Sequence, residues 1–565
     1  MNFLQTIFEQ LRRDPSKAIL QEMKDGQWIL TSCEELLDNV TRARRFLAQK
    51  GLVRGDRCAL LAPNSSRWVA LDLAIMAEGA ISVPLYSRQS ADEVVMILKD
   101  SAPRWICCSD RALADGLSSR WPDAPPILLF DKIWGDSERP LRGAAVVHAR
   151  RMALFSDASA VSPLDLSYQS ATTLIYTSGT SGEPKGVVLT VGNITFMLEQ
   201  TRRRLDELMR PVPKKGDDRV FHYLPFCFAG SWIMLLTCLS RNNCLMLSTN
   251  LNNLAEELKS ANPHYFLNVP ALLERICNGV TSQLQQRGGL GLKLFERGHS
   301  AWRHRHNGRK RPFDWMWRAL AGAFVFPRIR ERLGSNLQAL ICGSAPLAEE
   351  TQLFFQMLGI RVLQVYGLTE TTAICTMDEV DHAVPGRVGP AISGIEMKLA
   401  ENDEILVRGP NVFPGYWNRP EATDEILLEG WLHTGDQGQV DGRGNWKITG
   451  RLKNLIITSG GHNISPEPIE QMLTSVLPKV DQVMVVGNGR KFLSALISGK
   501  AQAERIETAL KEVNGQLPHY KQVHRFYLSP ELFSEENGLL TSNRKLRRAA
   551  IEERYRSEIE KLYSE

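Results

Sequence analysis

Two patterns of apolar residues alternate along the first 130 residues of the chain. Ser32 and Glu35 form a candidate capping box, and apolar residues then follow at helical spacing as far as Gly51. Short apolar runs bounded by turn residues come next, with further helical patterns between them. They predict strands over Arg57–Ala62, Ala80–Leu85, Trp105–Cys108 and Ile127–Phe130, and helices over Trp68–Ala77 and Ala91–Leu98. Strands that alternate with helices indicate a largely parallel sheet covered by helices, the α/β class.

The pattern differs after residue 450. Apolar runs predict strands over Gln482–Val486 and Leu493–Ile497, and helical spacing predicts helices over Ala501–Val513 and after Leu546. A chain of 565 residues is also too long for one ordinary domain. We therefore expect a large α/β domain of parallel-type sheets with packed helices over residues 1–450, and a small α+β domain over residues 451–565.

Composition places the chain among soluble globular proteins, with 43% hydrophobic and 23% charged residues. The net charge of +5 is small for this length and gives no argument for nucleic-acid binding. The N-terminus lacks the apolar core of a signal peptide, and the most apolar run, Trp232–Leu239, is too short to cross a bilayer. The ten cysteines include no Cys-x-x-Cys pair and mostly have apolar neighbours, which favours buried thiols and a cytoplasmic location.

One segment, Gln286–Arg318, interleaves basic and aromatic residues. It could form a solvated face on a helical insertion, since charge runs are usually exposed. It could instead contact an anionic membrane, where basic groups meet phosphates and tryptophan rings lie at the interface. Both interpretations stay open, whereas nucleic-acid binding is not expected because no recognition fold surrounds the segment. The residues are Arg287, Lys293, Arg297, Trp302, Arg303, Arg305, Arg309, Lys310, Arg311, Phe313, Trp315, Trp317 and Arg318.

A glycine-rich loop follows the apolar run Thr173–Tyr176. Glycines let the backbone approach a ligand closely, and exposed N–H groups in such a loop form an anion-binding concavity. Lys185 adds a mobile cation, so the loop has what polyphosphate binding needs. It is not a Walker loop, because Pro184 precedes the lysine and Gly186 follows it. The other candidate phosphate-binding residues are Thr177, Ser178, Gly179, Thr180, Ser181 and Gly182.

Three later segments carry further candidate chemistry. Two predicted strands each end in a loop, the first at Gly343-Ser344-Ala345 and the second at the run Tyr366–Thr371, and α/β sheets bind ligands at such junctions. In the second loop Glu370 offers the carboxylate oxygen that a hard cation prefers. Asp436 could accept hydrogen bonds from the two hydroxyls of a ribose.

The run Thr-Ser-Gly-Thr-Ser-Gly-x-Pro-Lys-Gly over 177–186 closely resembles the phosphate loop of adenylate-forming enzymes, which include acyl-CoA synthetases, peptide-synthetase adenylation domains and luciferases. The resemblance continues in ordered motifs as far as Lys545. The run Asn-Gly-Leu-Leu-Thr-x-x-x-Lys-Leu-Arg-Arg over 537–548 looks most like the long-chain subgroup. It departs from many relatives at Arg544, where glycine is common, and at Ser542, where proline is usual.

This resemblance implies ATP, Mg²⁺ and coenzyme A as ligands, and it assigns roles to named positions. Around the nucleotide, Gly343, Ser344 and Ala345 would border adenine, Tyr366 would stack on it, and Gly367 would belong to the same nucleotide-binding loop. Thr369 would meet the α-phosphate, Glu370 would hold Mg²⁺, Asp436 would bind ribose, and Arg451 would lie near ribose or phosphate. Lys185 and Lys545 would be catalytic cations, and Lys453 would be the hinge of a mobile C-terminal domain. Gly460 and Gly461 would line a channel for the CoA thiol.

The acyl substrate is assigned by the same resemblance. Phe228 stands in a Leu-Pro-x-x-aromatic element beside the carboxylate pocket, at a position where relatives often have histidine. Trp232 falls where long-chain members place an aromatic residue that closes the acyl tunnel. The implied function is ATP-dependent conversion of a long-chain fatty acid to acyl-AMP and then acyl-CoA. A cytoplasmic location is expected, and peripheral contact at the inner membrane surface stays open. Two alternatives stay open: a ligase that loads a carrier-protein thiol, and a non-catalytic lipid or nucleotide binder.

Overall fold

The computed structural model describes residues 1–135, 162–178, 183–210, 218–248, 250–306, 308–309, 311–477, 479–541 and 544–564. Within these ranges the strands are β1 Ala18–Lys24, β2 Gln27–Ser32, β3 Arg57–Leu61, β4 Ile81–Leu85, β5 Trp105–Cys108, β6 Ile127–Leu129, β7 Ala171–Ser178, β8 Pro184–Thr190, β9 Arg219–His222, β10 Cys244–Leu247, β11 Tyr265–Asn268, β12 Ala339–Cys342, β13 Arg361–Tyr366, β14 Thr376–Met377, β15 Glu396–Leu399, β16 Glu404–Arg408, β17 Leu427–Leu428, β18 Trp431–Val440, β19 Trp446–Arg451, β20 Ile456–Ile457, β21 Asn463–Ile464, β22 Val480–Val486, β23 Leu493–Gly499 and β24 Val523–Leu528.

The α-helices of the described ranges cover Phe3–Arg13, Cys33–Gln49, Ser66–Ala77, Ala91–Ser101, Arg111–Arg120, Phe130–Trp134, Val191–Met209, Ala229–Ser240, Leu254–Ala261, Pro270–Arg287, Gly289–His306, Asp314–Phe324, Phe326–Leu333, Glu349–Met357, Pro420–Asp424, Pro466–Val476, Ala503–Asn514, Arg548–Arg554 and Arg556–Tyr563. The predicted capping box is present, because the Ser32 hydroxyl accepts from the Glu35 N–H and the Glu35 carboxylate accepts from the Ser32 N–H. Helix Arg111–Arg120 was not among the predicted helices, and the Asp110 side chain caps it.

The first large sheet has the strand order β6-β5-β3-β4-β7-β8. Its first five strands are parallel, and β8 returns antiparallel to β7 as a hairpin. The four predicted strands of the N-terminal region all belong to this sheet, which confirms the α/β prediction. Strand β8 is the edge strand of the sheet, and it pairs with β7 from Ala171 opposite Thr190 to Ser178 opposite Pro184.

The second large sheet has eight strands in the order β14-β13-β12-β11-β9-β10-β1-β2. Its central strands are parallel, and the two edge pairs are antiparallel. Strands β12 and β13 are neighbours, with Cys342 opposite Gln364. The loops that begin at Gly343 and after Tyr366 therefore leave the same edge of the sheet side by side.

Two mostly apolar helices, buried on all sides, lie between the two large sheets. Every residue of Trp68–Ala77 is buried, and so is all of helix Ala229–Ser240 except Gly230. These helices share one apolar core with β3 and β10, which belong to different sheets. A helix without a polar face is stable only when surrounded in this way.

Two smaller units complete the fold. Strands β15 to β19 form an antiparallel sheet in which Asp436 on β18 lies opposite Arg451 on β19. The C-terminal part contains the sheet β22-β23-β24. One face of this sheet packs on helices Pro466–Val476 and Ala503–Asn514. The other face packs on a second apolar cluster that includes Leu540 and Tyr555. This mixture of sheet and helix agrees with the predicted α+β character.

Most of the described residues of the basic and aromatic segment are helical. It occupies helix Gly289–His306 and the start of helix Asp314–Phe324, which pack against each other. None of the helices in the described ranges has the length and apolar content that crossing a membrane requires. All ten cysteines lie in the described ranges, eight are buried, and no disulfide joins any of them.

Candidate active site

A cavity of about 3110 Å³ is lined by residues of both the large part of the molecule, residues 1–450, and the C-terminal part, residues 451–565. Its walls include side chains from both large sheets, from the antiparallel sheet and from the C-terminal part. The sequence-predicted residues that line it are Thr177, Lys185, Phe228, Gly343, Ser344, Ala345, Tyr366, Gly367, Thr369, Glu370, Asp436, Arg451, Lys453 and Lys545. Residues separated by more than 360 positions in the sequence thus share one site.

The hairpin of β7 and β8 positions Lys185. Thr177 lies opposite Lys185 in the register, so both stand at the mouth of the loop. Gly186 is required by close packing, since a Cβ there would lie 2.9 Å from the Tyr176 ring. The Lys185 ammonium is 5.1 Å from the centre of the Tyr416 ring, within cation–π range.

Part of the predicted phosphate loop is not described. Gly179, Thr180, Ser181 and Gly182 lie outside the described residues, and Ser178 is described only as the last residue of β7.

Glu370 stands on a short 3-10 helix, Thr369–Thr371, directly after β13. The Tyr416 hydroxyl donates a 2.7 Å hydrogen bond to Oε1 of Glu370. The Glu370 carbonyl accepts from the Phe413 N–H at 2.9 Å. Both contacts come from the segment around residue 415, which therefore supports this loop from outside the sheet.

Gly367 is fixed by close backbone contact. A Cβ at this position would lie 2.3 Å from the carbonyl oxygen of Ala373 and 2.6 Å from Cα of Ile374. The loop folds back this tightly because Thr372 and Ala373 both have positive φ values, +52° and +84°. The fold-back presents Thr369 and Glu370 to the cavity.

Asp436 is buried, and both of its carboxylate oxygens have protein partners. The Tyr366 hydroxyl donates to Oδ2 at 2.9 Å, and Nε of Arg451 lies 2.9 Å from Oδ1. Burial raises the pKa of Asp436, while the Arg451 charge and the Tyr366 hydrogen bond act in the opposite direction. Tyr366 is thereby held by its hydroxyl, with its ring in the cavity wall.

Lys545 reaches the cavity from the C-terminal part. Its side chain keeps an exposed surface within the cavity, although protein atoms of both parts surround it. Desolvation and the neighbouring Arg451 charge lower the pKa of Lys545 to about 8, against the influence of Asp436 and Glu370.

Backbone contacts of the described residues hold Lys545 in place. The Thr541 N–H donates to the Lys545 carbonyl at 2.8 Å, and Arg544 adopts a φ of +59°. Glycine adopts this conformation without strain, which is a physical reason for the glycine that many similar proteins have before this lysine. Arg544 meets the same requirement at some cost, and Ser542 lies outside the described residues.

Two arginines after Lys545 fix the C-terminal part. Arg547 forms an ion pair with Glu93, which belongs to helix Ala91–Ser101 of the large part. Arg548 binds Glu470 through two hydrogen bonds of 2.8 and 2.6 Å within the C-terminal part. The first pair joins the two parts across the cavity, and the second secures the turn that carries Lys545.

Gly460 and Gly461 do not line the cavity. They form an exposed turn between β20 and β21. The structure therefore brings Lys545 to the cavity and leaves the predicted thiol-channel glycines at the surface. Lys453 lines the cavity and belongs to the 3-10 helix Leu452–Asn454 that follows β19.

The two predicted acyl-binding residues have different locations. Phe228 precedes helix Ala229–Ser240 and lines the cavity, with its ring 5.9 Å from that of Tyr86. Trp232 is not among the residues of the cavity wall, and its place at the acyl tunnel stays a prediction. It is completely buried, and its indole N–H donates to Asp72 at 2.8 Å. The helix lines the cavity instead with Ala229, Gly230, Ser231, Ile233, Met234 and Thr237.

Sequence reasoning missed Tyr416 and Glu93. Tyr416 lies in the run Pro414-Gly415-Tyr416-Trp417, and two aromatic residues after a Pro-Gly turn are a signal that could have marked it. Glu93 carries no comparable signal, because an acidic residue in the first turn of a helix is ordinary.

The site suits a Mg²⁺ ion that arrives with a nucleotide. In the described ranges no group of three or more His, Cys, Asp or Glu side chains could hold a metal alone. Mg²⁺ needs only one or two protein carboxylates when phosphates and water complete its shell. Glu370, partly buried in the wall beside Lys185, provides such a carboxylate.

Comparison with known proteins gives relatives along the whole chain. Long-chain-fatty-acid–CoA ligase FadD15 of Mycobacterium bovis is 29% identical, over 100% of this chain and 97% of its own. The chloroplastic long-chain-fatty-acid–[acyl-carrier-protein] ligase AEE15 of Arabidopsis thaliana is 27% identical, over 91% and 80%. The adenylation domain of a carboxylate reductase from Mycobacterium chelonae has the same fold, with a TM-score of 0.75 at 21% identity over 100% and 91%.

Two family models match the chain. The model of the AMP-binding enzyme matches residues 7–417, and that of the AMP-binding enzyme C-terminal domain matches residues 453–565. Together they include every cavity motif described above except those on β18 and β19. The chain belongs to the AMP-binding enzyme family, the adenylate-forming ligases.

Proposed function

We propose that the protein is an ATP-dependent long-chain fatty acyl-CoA ligase. The observation that carries this proposal is the convergence of Lys185, Glu370, Asp436, Arg451 and Lys545 on one cavity. The names of the similar ligases support the fatty-acid substrate, and the apolar side chains that helices Ala229–Ser240 and Pro270–Arg287 add to the wall suit an acyl chain.

In the first half-reaction a carboxylate oxygen of the fatty acid attacks the α-phosphorus of ATP. The bond to pyrophosphate breaks, and acyl-AMP forms. The barrier is electrostatic, because one anion approaches another, and preorganised cations lower it. Lys185 and Lys545 supply such cations, and Asp436 accepts from the ribose hydroxyls. Glu370 would hold Mg²⁺, which supplies further neutralisation of phosphate charge when bound.

In the second half-reaction the CoA thiol attacks the acyl carbonyl, a thioester forms, and AMP leaves. We propose that residues 451–565 move as a unit about Lys453 between the two steps. Lys545 then leaves the cavity, and the Gly460–Gly461 turn enters it. The support is that the first lines the cavity while the second lies exposed on the same part of the chain.

The decisive experiment is ATP-dependent pyrophosphate release with acids from acetate to oleate, with and without CoA. We expect release with long acids, and an acyl-CoA product when CoA is present. Lys545→Ala should release little pyrophosphate, yet it should still form the thioester from supplied acyl-AMP. Absence of release with every acid would contradict the proposal.

A carrier-protein acceptor is the second candidate. The specific observation in its favour is the acyl-carrier-protein ligase among the relatives that match most of the chain. The same assay separates the two functions when holo acyl carrier protein replaces CoA. Pyrophosphate release with thioester on the carrier protein, and none on CoA, would establish this alternative.

We also propose that the protein is cytoplasmic and touches the inner membrane surface through the helical pair Gly289–His306 and Asp314–Phe324. Several large apolar side chains on or beside this pair are more than half exposed, which is costly unless a partner covers them. Arg305, Arg309 and Arg311 of the same segment are exposed as well, and such cations suit an anionic headgroup layer. The apolar residues are Leu290, Phe313, Trp315 and Phe324.

Binding to vesicles tests this surface. The double variant Arg309→Gln, Arg311→Gln should bind phosphatidylglycerol vesicles roughly 30-fold more weakly, at about 1 kcal/mol for each lost charge. Trp315→Ala should also weaken binding, and activity on short, soluble acids should be unchanged in both variants. Arg443→Gln with Lys511→Gln, which removes two exposed cations elsewhere, is the control. Equal binding by all variants would rule out the membrane contact.

A further inference from the structure

Tyr416 lies between the two groups on which phosphate binding is proposed to depend. Its hydroxyl donates to Oε1 of Glu370 at 2.7 Å, and its ring centre is 5.1 Å from the Lys185 ammonium. Lys185 belongs to the first large sheet, whereas Glu370 follows a strand of the second. The Tyr416 side chain therefore contacts both Lys185 and Glu370, the carboxylate proposed to bind the metal.

The backbone holds Tyr416 in place on both sides. It forms a β-bridge with Val187, and its N–H donates to the Thr423 hydroxyl at 2.9 Å. The Trp417 N–H donates to the carbonyl of Gly186 at 2.8 Å. The Tyr416 ring also packs edge-on against Phe413, with 4.9 Å between ring centres. These contacts leave its hydroxyl little freedom to point elsewhere.

The tyrosine hydroxyl can donate a hydrogen bond as well as accept one, and beside the Glu370 carboxylate it is the donor. A carboxylate can accept several hydrogen bonds and still bind a cation.

We propose that Tyr416 is a positioning residue for the metal-binding carboxylate. Its hydroxyl engages Oε1 of Glu370 and so leaves Oε2 as the oxygen that a divalent cation would meet. Its ring supports Lys185 at the same time. This inference rests on the proposed function, because it assumes that Glu370 serves a nucleotide-bound metal. Outer partners of this kind typically change metal affinity by about 10- to 100-fold.

The test measures binding and not turnover. Isothermal titration with α,β-methylene-ATP, in Mg²⁺ and then in EDTA, gives the gain in affinity that the metal provides. In EDTA, Tyr416→Phe should bind the analogue as tightly as the wild type does. Its increase in affinity on adding Mg²⁺ should be about 10- to 100-fold smaller than that of the wild type. Tyr416→Leu, which also removes the ring beneath Lys185, should bind more weakly in EDTA as well. A full Mg²⁺ gain in Tyr416→Phe would overturn the proposal.

Two controls separate the possible failures. Tyr555→Phe removes another hydroxyl that donates to a glutamate, Glu531 at 2.9 Å, away from the cavity, and it should keep the full Mg²⁺ gain. In a Glu370→Gln background, Tyr416→Phe should have no additional effect, since the two residues act as a unit. If Mg²⁺ does not increase the affinity of the wild type for the nucleotide analogue, the metal site of the proposed function itself is overturned. A normal wild-type gain that Tyr416→Phe leaves unchanged would overturn only the role of Tyr416.

Discussion

Lys545 experiences opposing influences from its neighbours. Its enclosure and the guanidinium of Arg451 favour the neutral amine, whereas the carboxylates of Asp436 and Glu370 favour the ammonium. Enclosure and the Arg451 charge together outweigh the two carboxylates, and the pKa of Lys545 therefore falls to about 8. The lysine is therefore still mostly charged at neutral pH, and a small rise in pH removes its charge.

The pH dependence of adenylation follows from this pKa. Above about pH 8 in the unliganded enzyme, Lys545 loses its proton and its attraction for phosphate oxygens. We expect kcat/KM for ATP to fall there, by roughly tenfold per pH unit well above the pKa. Lys545→Arg should be slower but should shift the fall to higher pH, because arginine stays protonated. A pH profile of pyrophosphate release checks this, and identical profiles for both enzymes would contradict it.

Residue identity alone did not reveal which way a side chain faces. The motif around Phe228 correctly marked a cavity element, but Trp232, only four residues later, lies in the core with Asp72. Helix Ala229–Ser240 is apolar on every side, so no periodicity distinguishes its cavity face from its core face. The sequence therefore predicted the element and not its orientation.

At the scale of elements, the sequence was most informative about the two cavity loops that follow β12 and β13. Strand-to-loop junctions were recognised from apolar runs that end in small residues, and both loops line the cavity. The tight fold-back around Gly367 could not be predicted, because it depends on the positive φ values of Thr372 and Ala373. Neither residue type favours that conformation by itself.

Because of this tight fold-back, we expect Gly367→Ala to slow pyrophosphate release. The added methyl group would meet the Ala373 carbonyl at 2.3 Å, so the backbone that carries Glu370 must move. A shift of this size misplaces catalytic groups, and pyrophosphate release should fall by at least about tenfold. Gly116→Ala is the control, because a Cβ there meets nothing within 4 Å. A Gly367→Ala enzyme with normal pyrophosphate release would show that the loop tolerates the shift.

At the scale of the whole molecule, the contact between the two parts escaped sequence analysis. Glu93 and Arg547 are 454 positions apart, and local patterns carry no information about such a pair. The fold class, by contrast, could be predicted, because alternating strands and helices leave a local signal over each element. The sequence thus predicted the parts and the motifs, but not the arrangement in which they meet.

The Glu93–Arg547 pair should favour the arrangement with Lys545 in the cavity. Glu93→Gln removes one charge of a partly exposed pair, worth about 0.2–1 kcal/mol, so pyrophosphate release should slow by up to roughly fivefold. Thioester formation from supplied acyl-AMP should not slow. Asp92→Asn, which removes the partner of Arg120 on the neighbouring helix, is the matched control. Equal slowing of both half-reactions would contradict this role.

The exposed Gly460–Gly461 turn has a consequence for the lifetime of the intermediate. The same small domain carries this turn and Lys545, and only Lys545 faces the cavity. If residues 451–565 rotate as proposed, a mixed anhydride formed beside Lys545 would have to survive for as long as the rotation takes. Water that enters a cavity of about 3110 Å³ would compete with the thiol throughout that interval. The yield of thioester per ATP would then depend on the rate of rotation relative to the rate of hydrolysis.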